Sequence, residues 1–263
     1  MTPNKTRIHQ FHTAKLLGAL LLLSGSAAAT TTLVATGVDN SLGMNIWVDA
    51  GGQNEDVFAG AVFIDLSQNG QQYNRETLCA DLFTNIYLDK SYATQVLSPD
   101  QVAGKNLPRV AWLVDNAFLP MQLTPSTQSA LPSSDWVTTP AQGAGLQLAL
   151  WDIADDGSNG FSTGKVQATA ATDPTVLHWA EQYESLSLGQ SSNLAFVYSN
   201  TDPSTGQAAQ MLVSPPYSDG SPAPGPTSLV RCGSPTPEPA AFLLVGAGLI
   251  AGSFALRRIR PTR

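Results

Sequence analysis

Hydrophobic positions alternate with polar ones in the first half of the chain, which is the pattern of strands that are buried on one face. The longest apolar run is rich in β-branched and aromatic residues, and glycine-rich turns bound it. Two shorter runs of the same kind follow much later in the chain. The predicted strands cover 44–48, 57–66, 75–86, 193–198 and 210–213.

Between the third and fourth predicted strands the apolar residues are three or four positions apart, which predicts helices. Two of these helices cover 108–118 and 145–154. The third opens at Asp173-Pro174, where an aspartate is placed to cap the helix and a proline fits its first turn. Strands with inserted helices predict an α+β fold with a sandwich-like or barrel-like strand core over 30–214.

The first 29 residues resemble a secretory signal peptide. A region with three basic residues precedes the short apolar run 16–23, and three alanines at 27–29 provide a small-residue cleavage site. The run is too short to span a bilayer comfortably, so cleavage is predicted rather than a retained N-terminal anchor.

The C-terminus combines three features in a fixed order. Pro237, Glu238 and Pro239 precede the uncharged stretch 240–256, and a cluster of arginines follows it. This arrangement resembles the PEP-CTERM sorting signal of Gram-negative bacteria, over 237–263. The resemblance implies processing by an exosortase and a transmembrane helix that holds the chain in the inner membrane before processing. It also implies delivery to the cell surface or extracellular matrix. A plain C-terminal membrane anchor is the alternative.

A proline-rich segment over 215–236 separates this signal from the predicted domain. Six prolines among glycines and serines predict an extended linker. Seven of the 13 basic residues lie before Thr30 or after Pro239, which leaves six against all 20 acidic residues in between. So acidic a domain argues against nucleic acid as a partner.

The residues of familiar enzyme sites are largely missing. His178 is the one histidine outside the signal peptide, and no G-x-S-x-G, G-x-G-x-x-G or phosphate-loop motif occurs. The acidic loop 152–160 lacks the regular ligand spacing of a calcium loop, and Thr163 stands where an EF-hand places its glutamate. We therefore expect neither an enzyme nor a metal site, and no cofactor.

The chain has two cysteines, Cys79 and Cys232. An exported protein meets an oxidising compartment, so a disulfide between them is one reading. Cys232 lies in the predicted linker, however, whereas Cys79 lies in a predicted strand. This context gives the pairing little support.

Three motifs around Cys79 occur in order: LCADLF at 78–83, AWLVDN at 111–116 and LQLALWD at 146–152. The set resembles the bacterial thioester domain, the TQXA family of surface adhesins, over about 58–213. The resemblance implies a bond between the thiol of Cys79 and the side-chain carbonyl of Gln147, 68 residues later. Two positions depart from the family pattern: Leu78 replaces a frequent aromatic residue, and Leu146 replaces the usual Thr or Ser.

A thioester would make the Gln147 carbonyl an electrophile that an amine, such as a lysine side chain, can attack. Burial among aromatic side chains would slow its hydrolysis. As supporting residues we expect the aromatic Trp112, Trp151 and Phe83, and the carboxylates Asp81, Asp115 and Asp152.

Each of these residues also has an ordinary structural explanation. Cys79 fits an inert buried cysteine, Gln147 fits a cap on a backbone group, and the tryptophans fit the core. These separate explanations leave the order of the three motifs unexplained. We therefore predict covalent adhesion to an unknown amine-bearing surface or matrix target. The alternative is a non-covalent structural or carbohydrate-binding matrix protein. A carbohydrate-binding module would expose a row of aromatic residues, and most aromatics here lie in runs that predict burial.

Overall fold

The computed structural model describes residues 31–118 and 129–217. Seven strands form one antiparallel sheet in the order β2-β3-β7-β6-β4-β1-β5. A further pairing between β1 and β2 closes the sheet on itself. The strands are β1 (Thr31–Ala50), β2 (Asn54–Gln68), β3 (Gln71–Cys79), β4 (Ser91–Leu97), β5 (Val166–Ala168), β6 (Phe196–Thr201) and β7 (Ala208–Ser214).

Three α-helices are inserted between the strands: α1 (Leu107–Ala117), α2 (Pro140–Trp151) and α3 (Pro174–Leu186). A π-helical turn, Asp152–Asp156, continues α2, and 3-10 turns occur at Pro99–Gln101 and Ser133–Asp135. The expected combination of a sandwich-like strand core with helices is confirmed. No helix within the described ranges is both long and apolar enough to cross a bilayer. The predicted signal peptide, the predicted span 240–256 and the sorting motif lie outside those ranges.

Helix α2 is the central helix of the fold. It is apolar almost all the way round, and ten of its 12 residues are buried. A helix with this pattern belongs inside a protein. It packs on α3 and on strands β1 and β2. The Thr139 side chain caps its first turn by accepting a hydrogen bond from the Gln142 N–H, and Pro140 follows at the first helical position.

The third strand ends earlier than the sequence predicts, because β3 stops at Cys79. The predicted continuation to residue 86 is wrong. Asp81 turns the chain there, since its carboxylate accepts hydrogen bonds from the Phe83 N–H (2.9 Å) and the Thr84 hydroxyl (2.7 Å). Such local bonds from an aspartate compete with sheet pairing.

Strand β3 is also tied to the last described residue. The Tyr217 hydroxyl donates to the Glu76 carbonyl oxygen (2.8 Å) and accepts from the Glu76 N–H (3.1 Å). The guanidinium of Arg75 lies 4.2 Å from the centre of the Tyr217 ring. Two residues of β3, Thr77 and Leu78, separate Glu76 from Cys79, so this contact holds the strand close to the cysteine.

Candidate functional site

The Gln147 side chain is bound to the backbone of Cys79. The Cys79 N–H donates to Gln147 Oε1 at 2.8 Å, and Gln147 Nε2 donates to the Cys79 carbonyl oxygen at 2.6 Å. Gln147 is completely buried, and Cys79 is 5% exposed. The structure thus brings together the two residues that the resemblance pairs.

Sheet geometry explains why Cys79 needs this partner. Ala80 N–H donates to the Met211 carbonyl oxygen at 2.8 Å, and Cys79 itself stands opposite Leu212. Bonding groups alternate along an antiparallel pair, so the Cys79 N–H and C=O point away from β7. On the other side, the pairing of β3 with β2 ends at Thr77. The Gln147 amide takes the place that a peptide group of a neighbouring strand would have.

Gln147 needs the contact equally. Its helix is surrounded by the core, and a buried amide without hydrogen bonds is unfavourable by several kcal/mol, roughly 2–7. The Cys79 backbone satisfies one donor and one acceptor of that amide. Capping a backbone group was the ordinary explanation of Gln147, and the geometry fits it. The same geometry places the amide carbonyl beside the residue that carries the thiol.

The Cys79 thiol is protonated at neutral pH. Burial, with a smaller contribution from the charge of Asp81, raises its pKa to about 12. A protonated thiol is a poor nucleophile toward molecules in solution. Reaction at this residue therefore depends on a partner that is already held in place.

A cavity of about 250 Å³ reaches Cys79. Most of its lining residues are apolar, and Trp151, one helical turn after Gln147, is one of them. Glu55 is the charged residue of the wall. The remaining lining residues are Val38, Val57, Phe58, Val62, Leu82, Asn85, Ile86, Leu88 and Gln210.

Two charged residues near Cys79 were not expected from the sequence. Lys105 forms an ion pair with Asp155 in the π-helical turn, and its Nζ lies 4.0 Å from Asp81. Asp155 also accepts a hydrogen bond from the Leu82 N–H at 2.9 Å. Burial raises the pKa of Asp155, although its bond with Lys105 opposes this. This cluster fastens the segment after Cys79 to the end of α2. Asp155 is 50 positions from Lys105 and 73 from Leu82, so no local pattern in the sequence indicated these contacts.

The other expected supporting residues are spread over the fold. Trp112 is half-buried on α1. Asp152 is buried near Glu184, and burial together with Asp152 raises the pKa of Glu184 to about 8. Asp115 is buried on α1, where the Ser192 hydroxyl donates to it. None of these three lines the cavity that reaches Cys79.

Phe83 was expected to be buried near the site, but the structure exposes it. Its side chain is 47% exposed, because the turn at Asp81 carries it out of the sheet. Tyr87, on the same loop, is 61% exposed. His178 is exposed on α3. In the described part of the chain, no group of three or more His, Cys, Asp and Glu side chains is placed to hold a metal ion.

The position of Asp115 leads to a prediction about pH. Burial raises its pKa from 3.8 to about 7, with the Ser192 hydrogen bond opposing the shift. The folded state therefore favours the protonated carboxyl, so stability should fall as pH rises from about 4 to about 7. Between pH 5 and pH 8 this residue should lower the free energy of unfolding by about 2–3 kcal/mol.

Asp115→Asn should remove that share of the pH dependence. Urea unfolding of wild type and variant at both pH values measures it. An identical drop in the two proteins would show that other groups cause it.

Comparison with protein families finds the PEP-CTERM protein-sorting motif at residues 235–260. The predicted sorting signal with Pro237, Glu238 and Pro239 is thereby confirmed, and it marks an exported protein that an exosortase sorts and that is anchored through its C-terminal region. The comparisons do not support a TQXA thioester domain. Neither curated proteins nor solved structures give a match to this chain.

Proposed function

We propose that this exported protein attaches covalently to an amine-bearing target through a thioester between Cys79 and Gln147. The observation that carries the proposal is the pair of hydrogen bonds between the Gln147 amide and the Cys79 backbone. The target belongs to the cell surface or the extracellular matrix. The protein reacts once per molecule, so it is a cross-linking protein and not an enzyme.

Thioester formation exchanges one bond for another. Cys79 Sγ attacks the side-chain carbonyl carbon of Gln147, the C–N bond breaks, and Nε2 leaves as ammonia with the thiol proton. The Cys79 N–H already donates to the carbonyl oxygen and polarises it toward attack. Fixed orientation of this kind is worth up to about 7–11 kcal/mol of the barrier. It compensates for the high pKa of the thiol.

The thioester then reacts with an amine that enters the cavity. The amine nitrogen bonds to the Gln147 carbonyl carbon, the C–S bond breaks, and the proton lost by the amine goes to the Cys79 sulfur. The product is a stable amide. The apolar side chains that line the cavity, together with the burial of Gln147, limit water near the bond and so favour the amine over hydrolysis.

The test is the intact mass of the purified protein before and after native methylamine treatment. We expect a mass that is one ammonia below the calculated value, and the addition of one methylamine on treatment. The two cysteines provide matched variants: Cys79→Ala should abolish both signals, and Cys232→Ala should keep both. A calculated mass that methylamine leaves unchanged would contradict the proposal. A deficit of two hydrogens that reductant restores would indicate a disulfide instead.

A second candidate function is non-covalent carbohydrate binding. It is favoured by a second cavity, of about 270 Å³, that the loop after Cys79 also lines, and whose wall includes the exposed rings of Phe83 and Tyr87 together with Asn85 and Gln207. Aromatic faces with planar amide groups suit a sugar ring. This candidate gains support if the mass experiment finds no thioester and the protein is retained on an immobilised polysaccharide.

A further inference from the structure

The indole N–H of Trp151 is a buried hydrogen-bond donor without an acceptor among the described residues. Its side chain is 1% exposed, so bulk water does not satisfy it either. Leaving such a donor unpaired is unfavourable by roughly 1–3 kcal/mol, and unpaired buried groups are rare for that reason. Trp136 shows the ordinary situation, since its indole N–H has the Ser129 hydroxyl and the Leu131 carbonyl oxygen as acceptors, both at 3.2 Å.

The position of Trp151 in α2 indicates which acceptor its indole N–H binds during the reaction. Trp151 and Gln147 are four residues apart in α2 and so share one face of the helix. Long side chains in a helix lean back over the preceding turn, which directs the indole toward Gln147. Trp151 and Cys79 also line the same cavity. The unpaired donor therefore belongs to a side chain that shares a helix face with Gln147 and a cavity with Cys79.

We propose that the Trp151 indole N–H binds the oxyanion that forms on Gln147 Oε1. This inference rests on the proposed thioester. When Cys79 Sγ, or later an amine nitrogen, bonds to the carbonyl carbon, the π electron pair moves onto Oε1. The Cys79 N–H, at 2.8 Å in the ground state, is the first donor to that oxygen, and Trp151 is the second. When the tetrahedral species collapses, the electron pair returns and the leaving group departs.

This arrangement of two donors explains why the Trp151 indole N–H is unpaired in the ground state. The ground-state carbonyl oxygen is satisfied by Cys79, whereas the oxyanion carries more charge and moves out of the amide plane. A donor aimed at the position of the oxyanion is used in the transition state alone, and this is how a hydrogen bond lowers a barrier instead of stabilising the reactant. Trp151 would thus be a catalytic residue of a single-turnover reaction.

The test is the rate of methylamine cleavage in Trp151→Phe, which keeps an aromatic ring and removes the N–H. We expect cleavage about a hundredfold slower than in wild type, the effect typical of losing one oxyanion donor. Trp136→Phe is the matched control, because its indole N–H is paired away from the cavity, and it should react at the wild-type rate. Hydrolysis without amine should slow in Trp151→Phe by the same factor, since it passes through the same oxyanion.

Whether the reaction rate falls or rises in Trp151→Phe distinguishes a catalytic role of Trp151 from a packing role. If Trp151 served only to fill space, Trp151→Phe would open the cavity and speed both reactions. A rate equal to or above that of wild type would therefore overturn the inference. Replacement of Trp151 by benzothienylalanine, which keeps the two fused rings without an N–H, gives the same test if the Phe variant does not fold.

Failure of the inference is distinguishable from failure of the thioester proposal. If wild type shows no ammonia deficit and no methylamine addition, the thioester proposal itself fails. If the wild-type protein reacts but Trp151→Phe is purified without the thioester, both proteins are refolded and the rate at which each loses ammonia is measured. Slow formation in Trp151→Phe supports the second donor, and formation at the wild-type rate overturns it.

Discussion

Gln147→Ala should lower the free energy of unfolding by about 2–6 kcal/mol, independently of any chemistry at Cys79. The Cys79 N–H and C=O both lose their partner, and each buried unpaired group is unfavourable by about 1–3 kcal/mol. No neighbouring strand can replace the amide, because the pairing of β2 with β3 ends at Thr77. For a domain of ordinary stability this is a large fraction of the total.

The measurement is urea unfolding in the Cys79→Ala background, where no thioester can form and the backbone groups at position 79 remain. Gln142→Ala is the matched control. Gln142 is a second buried glutamine of α2, but its side-chain carbonyl oxygen accepts from the Thr138 N–H (3.0 Å) and the Thr138 hydroxyl (2.9 Å).

Both glutamine variants should lose stability, whereas in the presence of Cys79 only Gln147→Ala should lose the mass deficit of one ammonia. A stability change below about 1 kcal/mol for Gln147→Ala would mean that the strand end is satisfied in another way.

Gly143→Ala should displace α2 from the sheet and separate Gln147 from Cys79. A Cβ at position 143 would lie 2.0 Å from the Leu42 carbonyl oxygen and 2.5 Å from the Leu42 carbonyl carbon. Both atoms belong to the backbone of β1, so no side-chain rotation can relieve the clash. Overpacking of this kind is unfavourable by typically about 1–3 kcal/mol, and backbone must move to accommodate it. Since Gly143 is one turn before Gln147, the displacement should reach the site.

The expected result for Gly143→Ala is a lower unfolding midpoint together with a reduced fraction of molecules that lack one ammonia. Ala141→Gly, in the same helix, serves as the control. It lowers intrinsic helix stability by about 1 kcal/mol without adding an atom, so it should keep the full mass deficit. A full deficit in Gly143→Ala would show that β1 yields at Leu42 instead of α2.

Several features could be predicted from sequence because they depend on residues close together in the chain. The helix that opens at Asp173 is one of them. The observed helix starts at Pro174, and the Asp173 carboxylate accepts a hydrogen bond from the Thr175 N–H at 2.7 Å. The sorting motif is another, since its three features are contiguous. The fold class followed from the change in hydrophobic spacing along the chain.

The early end of β3 could not be predicted in the same way. Residues 80–86 contain enough apolar positions to resemble a strand, but the side chain of Asp81 competes for the backbone and turns it. The apolar pattern indicates a strand here, whereas the hydrogen bonds of Asp81 favour a turn, and the structure has the turn. The exposure of Phe83 is a direct consequence, and it changes which aromatic residues can shield the site.

The sequence by itself determined that this protein is exported, because a sorting signal is a linear motif that does not require a folded context. It also supplied Cys79 and Gln147 as a candidate pair through the order of three motifs. The contact between them was decided by the tertiary structure, which closes a separation of 68 residues. A strand end that lacks a neighbour and a buried amide that lacks a partner satisfy each other, and neither deficit is visible until the sheet and α2 are assembled. The same holds for the unpaired indole of Trp151, since only a folded interior can deprive a donor of water.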